Sequence, residues 1–202
     1  MKVIGITGGV GSGKSKVLAY LQEKHQVVIC QADQVAWTLQ EPGQECYHKI
    51  VDFFGKEILG EDQKIDRKKL GSIVFQSEEK LCILNQMMHP AVKTKIKEQM
   101  QLEMQKGTKC FAIEAALLLE DHYNEICDEI WYICADEKVK RQRLKESRSY
   151  TDEKIDDIMR QQLSDDVFRE KCDIVVENSG DFRETCSQID ALLNEGDIDE
   201  TL

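Results

Sequence analysis

The sequence predicts an α/β fold in which a five-stranded parallel sheet is covered by helices on both faces. Three observations carry this. Five short runs are apolar throughout instead of alternating, as buried parallel strands are; they are rich in β-branched or aromatic residues; and longer amphipathic stretches separate them. A chain of 202 residues with 41% hydrophobic content suits one domain with a sizeable core.

The first strand is "KVIGI" (2–6), followed after a glycine-rich turn by the helical pattern "KVLAYLQEK" (16–24). "QVVIC" (26–30) is the second strand. From Ala32 to Lys109 no strand pattern recurs. Helical patterns "YHKIVDFF", "RKKLGSIVF", "EEKLCILNQMM" and "AVKTKIKEQMQLEMQ" are punctuated there by "EPGQ", "FGKEILGEDQ" and "HP". This stretch, about 34–107, is expected to be a helical acceptor-binding insertion. The strands resume with "KCFAIE" (109–114), "EIWYICA" (129–135) and "CDIVVEN" (172–178). The expected organisation is a single domain over 1–202. Its core spans 1–33, 108–136 and 170–195, and a basic lid spans about 137–169. The acidic end "EGDIDETL" is expected to fray.

Charge and cysteine usage bound the class. Twenty-seven basic residues against 38 acidic ones give a formal net charge of −11, which argues against a nucleic-acid or acidic-membrane binder. An anionic ligand therefore needs a local basic site. No run approaches the roughly 18 apolar residues of a membrane span, and "VIGI" is too short for a signal-peptide core, so a cytoplasmic monomer is expected. The eight cysteines form no C-x-x-C pair and lie mostly in apolar runs, as reduced thiols do.

Chemistry enters at residues 8–15, "GVGSGKS" preceded by Gly8. Gly8, Gly9, Gly11, Ser12, Gly13, Lys14 and Ser15 fall in the pattern G-x-x-x-x-G-K-S, between a strand and a helix, which is the context of a P-loop. The glycines let backbone N–H groups close around phosphate oxygens, Lys14 reaches the β and γ phosphates, and the Ser15 hydroxyl ligates Mg²⁺. The donor is thus a nucleoside triphosphate, held with Mg²⁺. A switch GTPase should carry N-K-x-D, which is absent, and a motor ATPase needs a longer chain. A small-molecule kinase is the leading class.

A kinase must orient and deprotonate its acceptor and neutralise the migrating phosphate. Asp33, just after the second strand, is the candidate for the acceptor hydroxyl. Glu114, closing the third, is the candidate for Mg²⁺. Asp136 follows the fourth strand, and helix capping is its expected role. Six basic residues fall within "KVKRQRLKESR" (138–148), against the charge of the whole chain. Arg143 and Arg148 are expected to meet phosphate or adenine from a mobile lid. Ser149 and Asp152 have the spacing of a capping box for the next helix. Arg67 in "IDRKKL" reads as a helix-start ion-pair partner, with acceptor binding the lesser option. Trp37, Met87 and Met88 read as core or pocket wall, and His89 before Pro90 as the end of a helix.

In order along the chain, "TGGVGSGKS", "QADQVAW", "EPG", "FGKEIL", "IDRKKLGSIVF", "LNQMMHP", "ALLLE", "RQRLKESR" and "CDIVVENSG" resemble the dephospho-CoA kinase family from about residue 2 to 190. The resemblance implies a P-loop kinase fold and ATP-dependent phosphorylation of the ribose 3′-hydroxyl of dephospho-CoA, the last step of coenzyme A synthesis. Another small-molecule P-loop kinase, acting on a nucleoside or nucleotide, is the alternative. It further implies that Asp33 is the catalytic aspartate, with Lys14 and Arg143 beside it. His89 and Pro90 form the acceptor-site "HP" motif, Arg143 and Arg148 are lid arginines, and Asn178 and Gly180 lie near the adenine. Glu114, Leu117 and Leu118 stand in "EAALLLE", where the family commonly has D-x-P-L-L-F-E, and are expected to touch the acceptor. "QAD" replaces the usual "DAD". Lys16 follows the P-loop serine, where many relatives have threonine, and adds charge near the α-phosphate.

Overall fold

In a computed structural model describing residues 1–196, strand β1 (Lys2–Thr7) leads into helix α1 (Lys14–His25), then β2 (Val28–Gln31). The chain continues through α2 (Ala32–Leu39), α3 (Glu45–Phe54), α4 (Arg67–Val74) and α5 (Glu78–Gln105). β3 (Cys110–Glu114) and β4 (Glu129–Cys134) follow, then α6 (Glu137–Arg148), α7 (Asp152–Arg160), α8 (Asp165–Lys171), β5 (Ile174–Glu177) and α9 (Phe182–Gly196). The five strands form one sheet in the order β2-β3-β1-β4-β5. β1 pairs parallel with both β3 and β4, and β4 with β5. The fraying expected of "EGDIDETL" concerns residues that lie almost wholly outside the described ones.

Two compact units divide the chain: residues 1–29 with 108 onwards, and residues 30–107. In the first, β1 is buried on both sides, with Val3, Ile4, Ile6 and Thr7 all buried. Apolar groups on both faces are what a central parallel strand requires. Its core joins Ile4, Ile6, Val17, Leu21, Ala112, Trp131, Ile133, Val176 and Ile189. Each of the valine, leucine and isoleucine side chains among them contributes about 1.5–3 kcal/mol of transfer free energy.

A repeated local device sets where the sheet begins. The Asp128 carboxylate accepts from Val3 N (2.6 Å) while Asp128 N donates to Val3 O (2.8 Å). Asp173 does the same to Ile130, with N–H to carboxylate 2.7 Å and the return bond 3.0 Å. Each aspartate lies immediately ahead of its own strand and extends the neighbouring ladder by one bond, so the parallel register is pinned at its N-terminal edge.

In the second unit, α2, α3 and α4 pack around the 28-residue α5. Its buried stripe is Met88, Val92 and Ile96, at four-residue spacing. The helix runs unbroken through His89 and Pro90, which corrects the expectation that "HP" ends it. Proline removes one N–H and crowds the preceding turn, yet burial of the stripe on either side holds the helix together. Ahead of α4, Asp66 caps through its carboxylate, accepting from Lys68 N (2.8 Å) and Lys69 N (3.2 Å). These backbone bonds, Lys69's first, hold the Asp66 carboxyl below its ordinary pKa.

Two other expected caps differ. The α7 cap is Thr151, whose hydroxyl accepts from Lys154 N at 3.3 Å. Ser149 instead closes α6 in a left-handed conformation (φ 53°). Asp136 occupies the N-cap of α6 without a capping side-chain bond, and its N–H donates to Ser179 Oγ at 2.9 Å. All eight cysteines are free thiols. Burial pushes the Cys127 thiol up to about 12 and that of Cys30 up to about 11, while Cys82 is exposed. Among the described residues no helix is long and apolar enough to cross a membrane.

Candidate active site

The glycine-rich turn joins β1 to α1. Gly8, Gly11 and Gly13 all have positive φ, at 149°, 79° and 90°. Gly13 shows most plainly why no side chain fits: a Cβ there would sit 2.4 Å from Asn178 Nδ2 and 3.2 Å from an Arg143 nitrogen. The turn closes on itself through Ser12 N to Gly9 O at 3.2 Å.

Gly13 is also the N-cap of α1, so that helix begins with no capping side chain and no acid in its first turn. Helices α4, α5, α7 and α8 are capped by Asp66, Ser77, Thr151 and Ser164, and the other uncapped helices α2, α3 and α6 carry Asp33, Glu45 and Glu137 in their first turns. An uncapped N-terminus leaves backbone donors and positive partial charge aimed outward, which is an anion site. Beside it, Thr7 Oγ1 and Ser12 Oγ are buried without a hydrogen-bond partner. Orphaned hydroxyls are rare in a folded chain, and here they border the phosphate cradle.

The cradle is braced from behind by residues remote in sequence. Asn178, 2% exposed, donates from Nδ2 to Ser12 O (2.7 Å), and its Oδ1 accepts from Thr185 Oγ1 (3.0 Å). Arg143 donates to the same Ser12 O (3.1 Å) and to Asn178 O (2.8 Å). The Ser12–Gly13 peptide is trans, so drawing its carbonyl toward these donors turns the Gly13 N–H to the opposite side. Arg143 and Asn178 thus orient the loop. Both contacts seat the Arg143 guanidinium against the glycine-rich turn itself. Gln162 Oε1 accepts from Val10 N at 3.1 Å and steadies the other limb.

Lys14 Nζ donates to Gly8 O (2.5 Å) and Gly9 O (3.3 Å), which lays the ammonium across the mouth of the loop. Ser15 is exposed on the first turn of α1, and Lys16 packs its ammonium 4.0 Å from the centre of the Phe182 ring. Glu114 ends β3, level with Ile6 near the end of β1. Of its expected companions, Leu117 is exposed, whereas Leu118 is fully buried. Gly180 is exposed beside Glu184, and Arg148 is exposed at the end of α6, 5.9 Å from the Tyr150 ring.

A cavity of about 410 Å³ adjoins Gly9 and is lined by Tyr132, Lys140, Gln162, Ser164 and Asp165 among others. Lys140 and Asp165 form an ion pair at 2.8 Å. Burial opposes ionisation of Asp165, but hydrogen bonds from Lys140 and Tyr132 more than offset it, and its pKa falls below the ordinary value. Tyr132 stacks on Phe168 with centroids 4.7 Å apart, which seats α8 on β4.

In the second unit, Asp33 is exposed in the first turn of α2, directly after β2. His89 and Pro90 line a shallow cavity of about 530 Å³ along α5 with Asn85 and Gln86. Arg67 makes no ion pair among the described residues, contrary to the sequence expectation, and lies over Trp37 instead.

The dephospho-CoA kinase family model matches residues 2–184. The chain belongs to the dephospho-CoA kinase family. A dephospho-CoA kinase of Oceanobacillus iheyensis is 37% identical over 97% of this chain and 98% of its own. One from Carboxydothermus hydrogenoformans is 36% identical, covering 96% and 93%. Among solved structures, the dephospho-CoA kinase from Campylobacter jejuni superposes with a TM-score of 0.73 at 26% identity, over 98% of this chain and all of that one. The shikimate kinase from Acinetobacter baumannii shares the fold at a TM-score of 0.53 and 15% identity. Gln162 and Thr185, which support the glycine-rich turn directly or through Asn178, carry no local sequence pattern that would have singled them out.

Proposed function

We infer that this chain transfers the γ-phosphoryl group of ATP to the ribose 3′-hydroxyl of dephospho-CoA, giving coenzyme A and ADP. Membership of the family supports the reaction. The observation that carries the reading at atomic level is the uncapped α1 terminus, with its braced peptide planes and two orphaned hydroxyls. Such a cradle suits a triphosphate better than any neutral ligand.

Transfer is direct and in line. Lys14 follows the β and γ phosphates and offsets the charge that spreads over the equatorial oxygens, while the Gly13 N–H, held by Asn178 and Arg143, fixes the chain of phosphates. Asp33 accepts a hydrogen bond from the acceptor hydroxyl and takes its proton late in the transfer. Arg143 and Arg148 supply the lid cations, Arg143 from its seat on the loop. Ser15 and Glu114 are hard oxygen donors of the kind Mg²⁺ takes when phosphates complete its shell, and bound there the ion would neutralise phosphate charge. Lys16, Leu117, His89 and Pro90 are assigned to substrate contacts on the family pattern alone.

A coupled ADP-release assay with dephospho-CoA as acceptor, and nucleosides as controls, tests this. A steady rate with dephospho-CoA and none with nucleosides is expected. A flat trace at millimolar dephospho-CoA would overturn the proposal.

A further inference from the structure

We propose that α7 is a carboxylate strap over the lid: Asp152 and Asp156 hold Arg141 and Lys145 in place of phosphate, and a bound triphosphate takes those two cations over. The inference rests on ATP being the donor. It adds two phosphate-binding residues and the device that restrains them.

Arg141, Lys145 and Arg148 stand at i, i+4 and i+7 on α6, so the three cations form one stripe. A neighbouring face of the same helix lies directly on the phosphate turn. A Cβ added at Gly11 would sit 2.9 Å from Lys140 O and 3.1 Å from Leu144, and Arg143 donates to Ser12 O at 3.1 Å. The stripe is therefore carried at the rim of the cradle. Like charges at helical spacing repel one another, so a stripe of three cations needs counter-anions.

Helix α7 provides them. Asp152 and Asp156 are four residues apart and share one of its faces. The Lys145 ammonium lies 2.8 Å from Asp152, and the Arg141 guanidinium reaches both acids, Asp156 at 2.5 Å and Asp152 at 3.8 Å. Arg141 also pairs with Glu137 on its own helix at 2.8 Å. Arg148, at the end of the stripe, is paired with no carboxylate among the described residues and has the Tyr150 ring beside it instead. Apolar anchorage of α7 is thin, since Ile155 is the one buried residue among its nine. Charge does much of the work of seating it on α6.

Such a seat is easily exchanged. The Asp152 and Asp156 side chains are 57% and 44% exposed, and ion pairs open to solvent are weak and screened. A triphosphate carries more negative charge and more acceptor oxygens than two carboxylates, and a guanidinium fork fits phosphate oxygens as well as it fits a carboxylate. ATP in the cradle thus draws Arg141 and Lys145 off α7. Arg141 and Lys145 are in this account binding residues, and Asp152 and Asp156 are positioning residues that hold them back until the donor arrives.

The test reads ATP binding by calorimetry, with Mg²⁺ and without acceptor. Asp152→Asn/Asp156→Asn keeps both side-chain shapes and should lower the Kd for ATP about three- to tenfold at low salt, a gain that shrinks in about 1 M salt. A merely structural strap would do the opposite, because loosening the lid weakens binding. Glu153→Gln/Asp157→Asn removes the same charge from α7 without touching the stripe, Asp157 being paired with Arg160, and should leave Kd within about twofold. Arg141→Gln should cost more in the Asn background than in wild type, since only there is the guanidinium released from α7. A folded Asp152→Asn/Asp156→Asn protein whose Kd stays within about threefold of wild type or rises, or a Glu153/Asp157 control that gains as much, would overturn the proposal. Normal ATP binding without transfer to dephospho-CoA would remove the acceptor reading and leave this one standing; wild-type protein that binds no ATP would remove both.

Discussion

Replacing Asn178 by alanine tests how the phosphate cradle is built. The side chain is 2% exposed and makes two neutral bonds, to Ser12 O at 2.7 Å and from Thr185 Oγ1 at 3.0 Å. Each buried bond contributes about 1 kcal/mol net, so Asn178→Ala should cost about 2 kcal/mol. For a domain of this size that lowers Tm by about 4–8 °C. The functional effect is separate. Ser12 O keeps Arg143 at 3.1 Å but loses its shorter bond, so the Ser12–Gly13 peptide can rotate and its N–H no longer points steadily at phosphate. The KM for ATP should rise about three- to tenfold, a loss of about 0.7–1.4 kcal/mol, while kcat changes less. Differential scanning fluorimetry with and without ATP, together with initial rates over a range of ATP, measures both effects. Asn178→Asp is the discriminating companion: it keeps an acceptor for Thr185 yet loses the donor to Ser12 O, so it should weaken ATP binding as much as alanine does. Variants of unchanged Tm and unchanged ATP KM would refute the bracing argument.

Three further outcomes are expected. Asp33→Asn should lower kcat by about 10²–10⁴ while ATP still protects the protein thermally, and near-normal turnover would remove Asp33 from the chemistry. Pro90→Ala should raise Tm by several degrees, because it restores a helix N–H at an exposed position of α5; a lower Tm would show that the ring's local packing outweighs the missing bond. The Asp165 carboxyl has a folded pKa below its ordinary value, so its bonds to Lys140 and Tyr132 stabilise the fold fully above about pH 4. That contribution is lost as pH falls through the depressed value. The Tm difference between wild type and Asp165→Asn should therefore hold steady from about pH 5 to 7 and narrow as pH falls below the ordinary carboxylate range; a gap that does not narrow in acid would mean the residue acts through packing.

The α/β class, the five strands and the P-loop were legible because each is written in short-range pattern. A buried parallel strand is an unbroken apolar run, and a phosphate turn needs its glycines and lysine within eight positions. Strand limits shifted by only a few residues: β2 begins at Val28 rather than 26, and β5 occupies Ile174–Glu177 within the expected 172–178. The family likeness was legible for the same reason, since its motifs are contiguous. Local rules failed where packing opposed them. A proline next to histidine signalled a helix end, yet the buried stripe of Met88, Val92 and Ile96 carried α5 through it.

What no pattern could supply is the long-range bracing of the site. Asn178 reaches Ser12 across 166 positions, Gln162 reaches Val10 across 152, and Arg143 reaches Ser12 across 131. Hydrogen bonds of this kind leave no periodicity, because the partners meet only after the sheet has brought β5 and α6 to the phosphate turn. Arg143 shows the consequence. Its basic neighbourhood suggested a cation for the ligand; only in three dimensions do the carbonyls of Ser12 and Asn178 fix where that cation stands. Arg67 shows the reverse: beside Asp66 in the sequence it suggested an ion pair, yet the aspartate is committed to the α4 amides and the arginine lies on Trp37. Residue types and spacing are enough to name the donor and the reaction class; which charged groups are left to meet a ligand depends on who else they touch, and that is a property of the packed chain.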